Sequence, residues 1–156
     1  MQSIDSLNQV AEFHRTFKAP ILDKPQIPSL ERCKLRVSLI AEELRELQEA
    51  IEANDLIEVA DALCDIQYVL SGAVLEFGLG EKFVDLFNEV QRSNMSKACS
   101  TYEEAEDTVK FYFQKDGTVA EIIKDEDKFL VYRTSDNKVL KSVKYSPADL
   151  KSILTL

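Results

Sequence analysis

Two short acidic patterns give this chain its most distinctive chemistry: Glu42-Glu43-Leu44-Arg45-Glu46, and Glu58-Val59-Ala60-Asp61, which begins twelve residues after Glu46. Carboxylates three apart project from neighbouring turns of a helix, so Glu43 with Glu46, and Glu58 with Asp61, each make a two-carboxylate grip. Asp65 and Tyr68 continue the second grip along the same face. At an effective dielectric of about 20, two like charges about 4 Å apart repel by roughly 4 kcal/mol, so facing acids are hard to hold ionised. A divalent cation removes that conflict. Mg²⁺ suits the set, because it takes oxygen ligands in an octahedron and keeps positions for water or phosphate. The plainer reading of the same residues is a solvated helix face.

The grips need two neighbouring helices, and the pattern supplies them. Ser29 caps a helix from about Leu30 to Ala53, on which Leu30, Cys33, Val37, Ile40, Leu44, Leu47 and Ile51 form an apolar stripe for packing against another helix. Glu43 and Glu46 lie off that stripe, while Glu42 and Glu49 turn further towards solvent. Asn54 and Asp55 break the chain and cap a third helix, Leu56 to Phe77, stopped by Gly78. Its stripe, from Leu56 and Val59 to Val74 and Phe77, faces away from Glu58, Asp61 and Asp65. A helical hairpin across Asn54-Asp55 brings the two grips together. Beyond position 66 the third helix is apolar nearly all round, which calls for burial against another copy of the chain.

A first helix from about Ile4 to Phe17 precedes an extended connector with prolines at 20, 25 and 28, and a fourth spans roughly Glu81 to Cys99. The composition then changes, dividing the chain into a helical core, 1–99, and an extension of the same domain, 100–156. In the extension, Val109-Lys-Phe-Tyr-Phe-Gln reads as a strand, Asp116-Gly117 as a tight turn, and Thr118 to Ile123 as the return strand; Lys128 to Arg133 can add a third. Ser146-Pro147-Ala148-Asp149 is ordered like the start of a short terminal helix.

Composition narrows the function classes. The 156 residues suffice for one core, and 28 acidic against 19 basic residues give a net charge of −9, which repels polymeric nucleic acid; a free nucleotide carrying a divalent cation is not repelled. Cys33, Cys64 and Cys99 are widely spaced and match no metal pattern, so they read as reduced, buried thiols of a cytoplasmic protein. No segment reads as a leader peptide or a membrane span.

The acidic patterns, their order and separation, and the later Glu89-Val-Gln-Arg-Ser-Asn-Met-Ser-Lys97 together resemble the all-α nucleotide pyrophosphohydrolases: MazG, the dimeric dUTPases, dCTP pyrophosphatases and phosphoribosyl-ATP pyrophosphohydrolase. The resemblance covers residues 1–99. Tyr132 to Lys141, and on through Asp149-Leu150, is similar to the tail of a phosphoribosyl-ATP-pyrophosphohydrolase-like subgroup, whereas Cys99 to Phe129 looks like an insertion. It implies an all-α, antiparallel helix bundle of the MazG-like type, carrying a small C-terminal β-hairpin insertion and a short terminal helix.

The same resemblance implies that Glu43, Glu46, Glu58 and Asp61 hold Mg²⁺, with Mn²⁺ as a possible substitute, while water attacks the α-phosphorus of a nucleoside triphosphate and pyrophosphate leaves. Glu42 is then the residue to orient or deprotonate the water, unless it is simply solvated. Asn94 and Lys97, one turn apart, would share a phosphate or sugar; without the resemblance they read as a fraying helix end. Arg36 is a phosphate contact or, on the more conservative reading, an ion-pair partner. His14 lies on the helix that helps form the nucleobase pocket in the family, where it can touch base or sugar; the flanking Phe13 and Phe17 read more simply as core. Asp65 and Tyr68 either contact the sugar or support the ligands. The expected assembly is a homodimer or dimer of dimers with sites near subunit contacts. Two other readings stay open: a different substrate such as phosphoribosyl-ATP, and a non-catalytic helical dimerisation or regulatory protein.

Overall fold

The computed structural model describes residues 4–154 and divides into two compact units, Met1–Phe83 and Val84–Leu156. In the first, α1 (Ser6–Phe17) and α2 (Leu30–Glu52) both pack on α3 (Leu56–Glu76). The caps are those the sequence predicts. Asp5 accepts from the Asn8 backbone N–H, Ser29 from that of Arg32, and Asp55 from those of Ile57 and Glu58, with Asn54 in the left-handed region at φ 54°. Gly78 ends α3 at φ 67°; a Cβ there would lie 2.0 Å from the Lys24 carbonyl oxygen, so only glycine fits. The proline-rich connector runs along the end of α3, with Leu22 N–H donating to Leu75 O and Gln26 N–H to Phe77 O.

Apart from Val74, the two long apolar stripes do not form this unit's core. Leu30, Val37, Leu44 and Ile51 of α2 are exposed, as are Leu56 and Leu63 of α3. The buried positions are instead Arg36 and Ala50 on α2, and Ala62 and Ser71 to Glu76, apart from the half-buried Ala73, on α3. Small and polar faces meet along the α2–α3 seam, which leaves the large aliphatic side chains outside. The acids are not turned inward with them: Glu43 is half-buried, and Glu42, Glu46, Glu58, Asp61 and Asp65 are exposed.

A short 3₁₀ turn, Gly80–Lys82, leads into α4 (Phe83–Met95), which stops before Lys97. The second unit departs from expectation at residue 109. Val109 to Gln114 belongs to a helix, α5 (Tyr102–Asp116), not to a strand. Thr101 caps it by accepting from the Glu104 N–H, and Gly117 at φ 73° closes it, so Asp116-Gly117 is a helix stop and not a hairpin turn. The β-branched and aromatic run was overridden by these caps and by one face, Ala105, Thr108, Val109 and Tyr112, that packs inward. The hairpin lies later: β1 (Ala120–Asp125) pairs antiparallel with β2 (Lys128–Arg133), Asp125 opposite Lys128. Cys99, Ala105, Val131 and Leu140 form the buried centre of this unit. The terminal helix, α6 (Leu150–Leu154), also starts later than predicted, because Asp149 accepts from the Ser152 N–H while Ser146 bonds Arg92 and Ser96 instead.

All three cysteines are free, but only Cys99 is buried; Cys33 is half-buried and Cys64 exposed, which corrects the expectation for both. Among the described residues no single helix is long and apolar enough to cross a membrane.

Candidate active site at the α2–α3 seam

Glu43 sits half-buried on the side of α2 that meets α3, and its Oε2 is buried without a hydrogen-bond partner among the described residues. Burial pushes this carboxyl above the usual carboxylate range, and the charges of Glu46, Asp65, Glu42 and Asp61 push it further. One acid from each grip, Glu46 and Asp61, therefore acts on Glu43, and Asp65 acts more strongly than Asp61. Glu58 is not among these groups. It is exposed in the first turn of α3, beside the Asp55 cap. Among the described residues no group of three or more Asp, Glu, His or Cys side chains is already gathered closely enough to hold a metal ion.

Seven residues before Glu43, and so on nearly the same face, Arg36 is buried and donates from Nη2 to Glu76 Oε1. Arg32 reaches the same carboxylate with Nη2 on Oε1 and with Nε on Oε2 at 3.2 Å. Glu76 is 1% exposed. Burial alone would raise its pKa, but the guanidinium groups of Arg36 and Arg32 outweigh burial and hold it below the usual range. His14 completes the network: its Nδ1 donates to Pro20 O at 2.8 Å, which leaves Nε2 to accept from Arg36 Nη2 at 3.3 Å. A Cβ on Gly72 would come within 2.7 Å of Arg36 Nη1 and 3.1 Å of His14 Nε2, so the missing side chain makes the room for this contact. Arg36 is thus an ion-pair partner within the fold. His14 is 2% exposed with both ring nitrogens engaged, and it has no free edge to offer a base or sugar.

The aromatic residues near it are more open. Phe13 lies tilted against Phe17 at 4.4 Å and meets Tyr68 edge-on at 5.6 Å; all three are exposed, so Phe13 and Phe17 are not the core residues their spacing predicts. A cavity of about 440 Å³ lies between α1 and α3, walled by Val10, Leu63, Cys64, Gln67 and Tyr68. In the second unit, Lys97 Nζ donates to Asn94 Oδ1 at 2.8 Å, so those two residues do converge.

Residues 10–94, more than half of the chain, match phosphoribosyl-ATP pyrophosphohydrolase. The chain belongs to that family. It is one branch of the MazG-like all-α pyrophosphohydrolases. The matched span holds α2, α3 and both acidic patterns, and it ends inside α4. Over a wider span the chain is similar to Uncharacterized protein L479 of Acanthamoeba polyphaga mimivirus, at 24% identity covering 93% of this chain and 94% of that protein. Membership in the phosphoribosyl-ATP pyrophosphohydrolase family makes this chain a pyrophosphohydrolase in general terms. Sequence reasoning missed Glu76, because its partners lie forty and forty-four residues away and it sits alone in Val74-Leu-Glu-Phe77. The available signal was a single acid in an otherwise apolar turn, which requires a cation.

Proposed function

We propose that this protein hydrolyses a nucleoside triphosphate at the α-phosphorus to the monophosphate and pyrophosphate, using Mg²⁺ held at the α2–α3 seam. One observation supports the reading: among the described residues Glu43 keeps a buried carboxylate oxygen without a hydrogen-bond partner, and the charges of four further acids from the two helices act on it. An all-carboxylate donor set suits a hard divalent cation. Glu43, Glu46, Asp61 and Glu58 would hold it, and Asp65, which acts on Glu43 more strongly than Asp61, is a further ligand or the group that orients one. Glu43 alone of this set is half-buried, while Glu46, Glu58, Asp61 and Asp65 are exposed, so a cation would have to draw them together against their mutual repulsion. When bound, Mg²⁺ neutralises the phosphate chain and lowers the pKa of attacking water. Glu42 flanks Glu43 on the outer side and is the residue proposed to orient that water. Phe13, Phe17 and Tyr68 offer exposed rings on which a base can stack. Asn94 and Lys97 are proposed phosphate or sugar contacts.

The family match itself favours a second reading, phosphoribosyl-ATP as substrate, which uses the same attack and the same leaving group. A pyrophosphate-release screen separates the two: nucleoside triphosphates and phosphoribosyl-ATP, each with Mg²⁺ and with EDTA. We expect turnover with Mg²⁺ only, lost by at least about 100-fold in Asp61→Ala or Glu46→Ala. Turnover in EDTA, or activity surviving both substitutions, contradicts the proposal.

The exposed stripes of α2 and α3 are proposed to bury against a second copy, giving a homodimer or a dimer of dimers.

A further inference from the structure

We propose that Gln67 selects the base of the nucleotide. In the cavity between α1 and α3 it holds a fixed hydrogen-bond acceptor for an exocyclic amino group, so that adenine is preferred to hypoxanthine and cytosine to uracil. For its ligand this inference rests on the nucleotide reading above. Gln67, Ser71 and Ser6 lie outside the carboxylate set and the phosphate contacts.

The orientation of the Gln67 amide follows from its neighbours. Ser71, one turn further along α3 and 1% exposed, spends its hydroxyl proton on the Gln67 backbone carbonyl at 2.9 Å. Its oxygen can then only accept, so the amide atom 3.0 Å from it is the Nε2 donor. The same nitrogen donates its other proton to Ser6 Oγ of α1 at 3.3 Å. Both donors are thereby used, and Oε1 is an acceptor that no donor among the described residues reaches. Turning the amide over would set Oε1 against the lone pairs of Ser71, losing a hydrogen bond and adding a repulsion. Gln9 also lines the cavity, but nothing tethers its amide among the described residues, so it can offer either end.

The surroundings make this one acceptor decisive. The cavity, at about 440 Å³, has the size of a small-molecule site, and its walls include Val10 and Tyr68. Tyr68 also continues the Asp61 and Asp65 face of α3, so the cavity borders the acids proposed to hold the cation. A flat base laid against an aromatic ring gains affinity with little regard to its identity. Identity is read by directed polar groups. A fixed acceptor is matched by an amino group, which carries two N–H donors. It is opposed by the carbonyl oxygen that hypoxanthine has in place of the adenine amino group, and uracil in place of that of cytosine.

The test is titration of AMP, IMP, CMP and UMP into the full chain in EDTA, followed by protein-observed NMR, which reads weak binding without turnover. We expect AMP to bind about 3- to 10-fold more tightly than IMP, and CMP than UMP by a similar factor. Gln67→Leu keeps the bulk and removes the acceptor, and should bring both ratios close to one. Ser71→Ala frees the amide to turn and should shrink them. Damage to the fold would weaken all four ligands alike, so the ratios report the acceptor itself. Equal binding of AMP and IMP by the wild type overturns the proposal, as does no binding of any of the four. Ratios that survive Gln67→Leu overturn it too, and unchanged ratios in Ser71→Ala count against the tether that fixes the amide. Selective binding by a chain that releases no pyrophosphate would leave this inference standing and remove the hydrolytic reading; turnover of ATP and ITP at equal kcat/KM would do the reverse.

Discussion

Glu43 is a liability to the fold without a cation, and that makes it informative. Its carboxyl is raised by burial and by like charges, so ionisation at neutral pH works against the folded state. Its contribution is present at low pH and lost as pH rises through the ordinary glutamate range towards the raised value. Glu43→Gln, which keeps the shape and drops the charge, should therefore raise the melting temperature in EDTA. The same change should shrink the stabilisation that Mg²⁺ or Mn²⁺ gives the wild type. A lower melting temperature for Glu43→Gln in EDTA would show that the carboxylate is held by favourable contacts instead. At this scale the helical angles put Glu43 on the side of α2 shared with Ala50, where it is half-buried, whereas Asp61 is exposed. His14 was not legible: its role depends on Pro20 O and Arg36, two partners that no local pattern links to it.

Helix α2 is fastened to α3 by one buried carboxylate and two arginines. Removing Glu76 leaves the buried Arg36 and the half-buried Arg32 without their anion, so Glu76→Ala should lower stability by about 3 to 5 kcal/mol in urea unfolding. The sign of the pH dependence follows from the lowered pKa: the contribution of Glu76 is complete above the ordinary glutamate range and is lost as pH falls below it. Acid titration of stability should thus be steeper for the wild type than for Glu76→Gln. Gly72→Ala should act on the same fastening, because its methyl would push Arg36 and His14 apart. A wild-type melting temperature in Gly72→Ala would mean the network adjusts at no cost. Capping residues made the ends of α2 and α3 legible to within a residue or two. Residues 109–114 are helical despite their β propensity because Thr101-x-x-Glu104 and Gly117 bound α5. For the stripes, periodicity shows that a helix has an apolar face, not which neighbour covers it.

For the whole molecule, that uncovered face sets an expectation. Leu30, Val37, Leu44 and Ile51 on one helix and Leu56 and Leu63 on the next are exposed, and the proposed assembly would cover them. Sedimentation should give a mass of at least two chains, and Leu44→Asp should reduce it; a wild-type monomer contradicts the proposed assembly. The central claim is that acids from α2 and α3 share one divalent cation, and direct titration of Mn²⁺ into the metal-free chain, read by calorimetry or electron paramagnetic resonance, tests it most closely. The account predicts saturable binding that weakens by at least about 10-fold in both Glu43→Gln and Asp61→Asn. Binding that survives both changes, or no binding by the wild type, would contradict it.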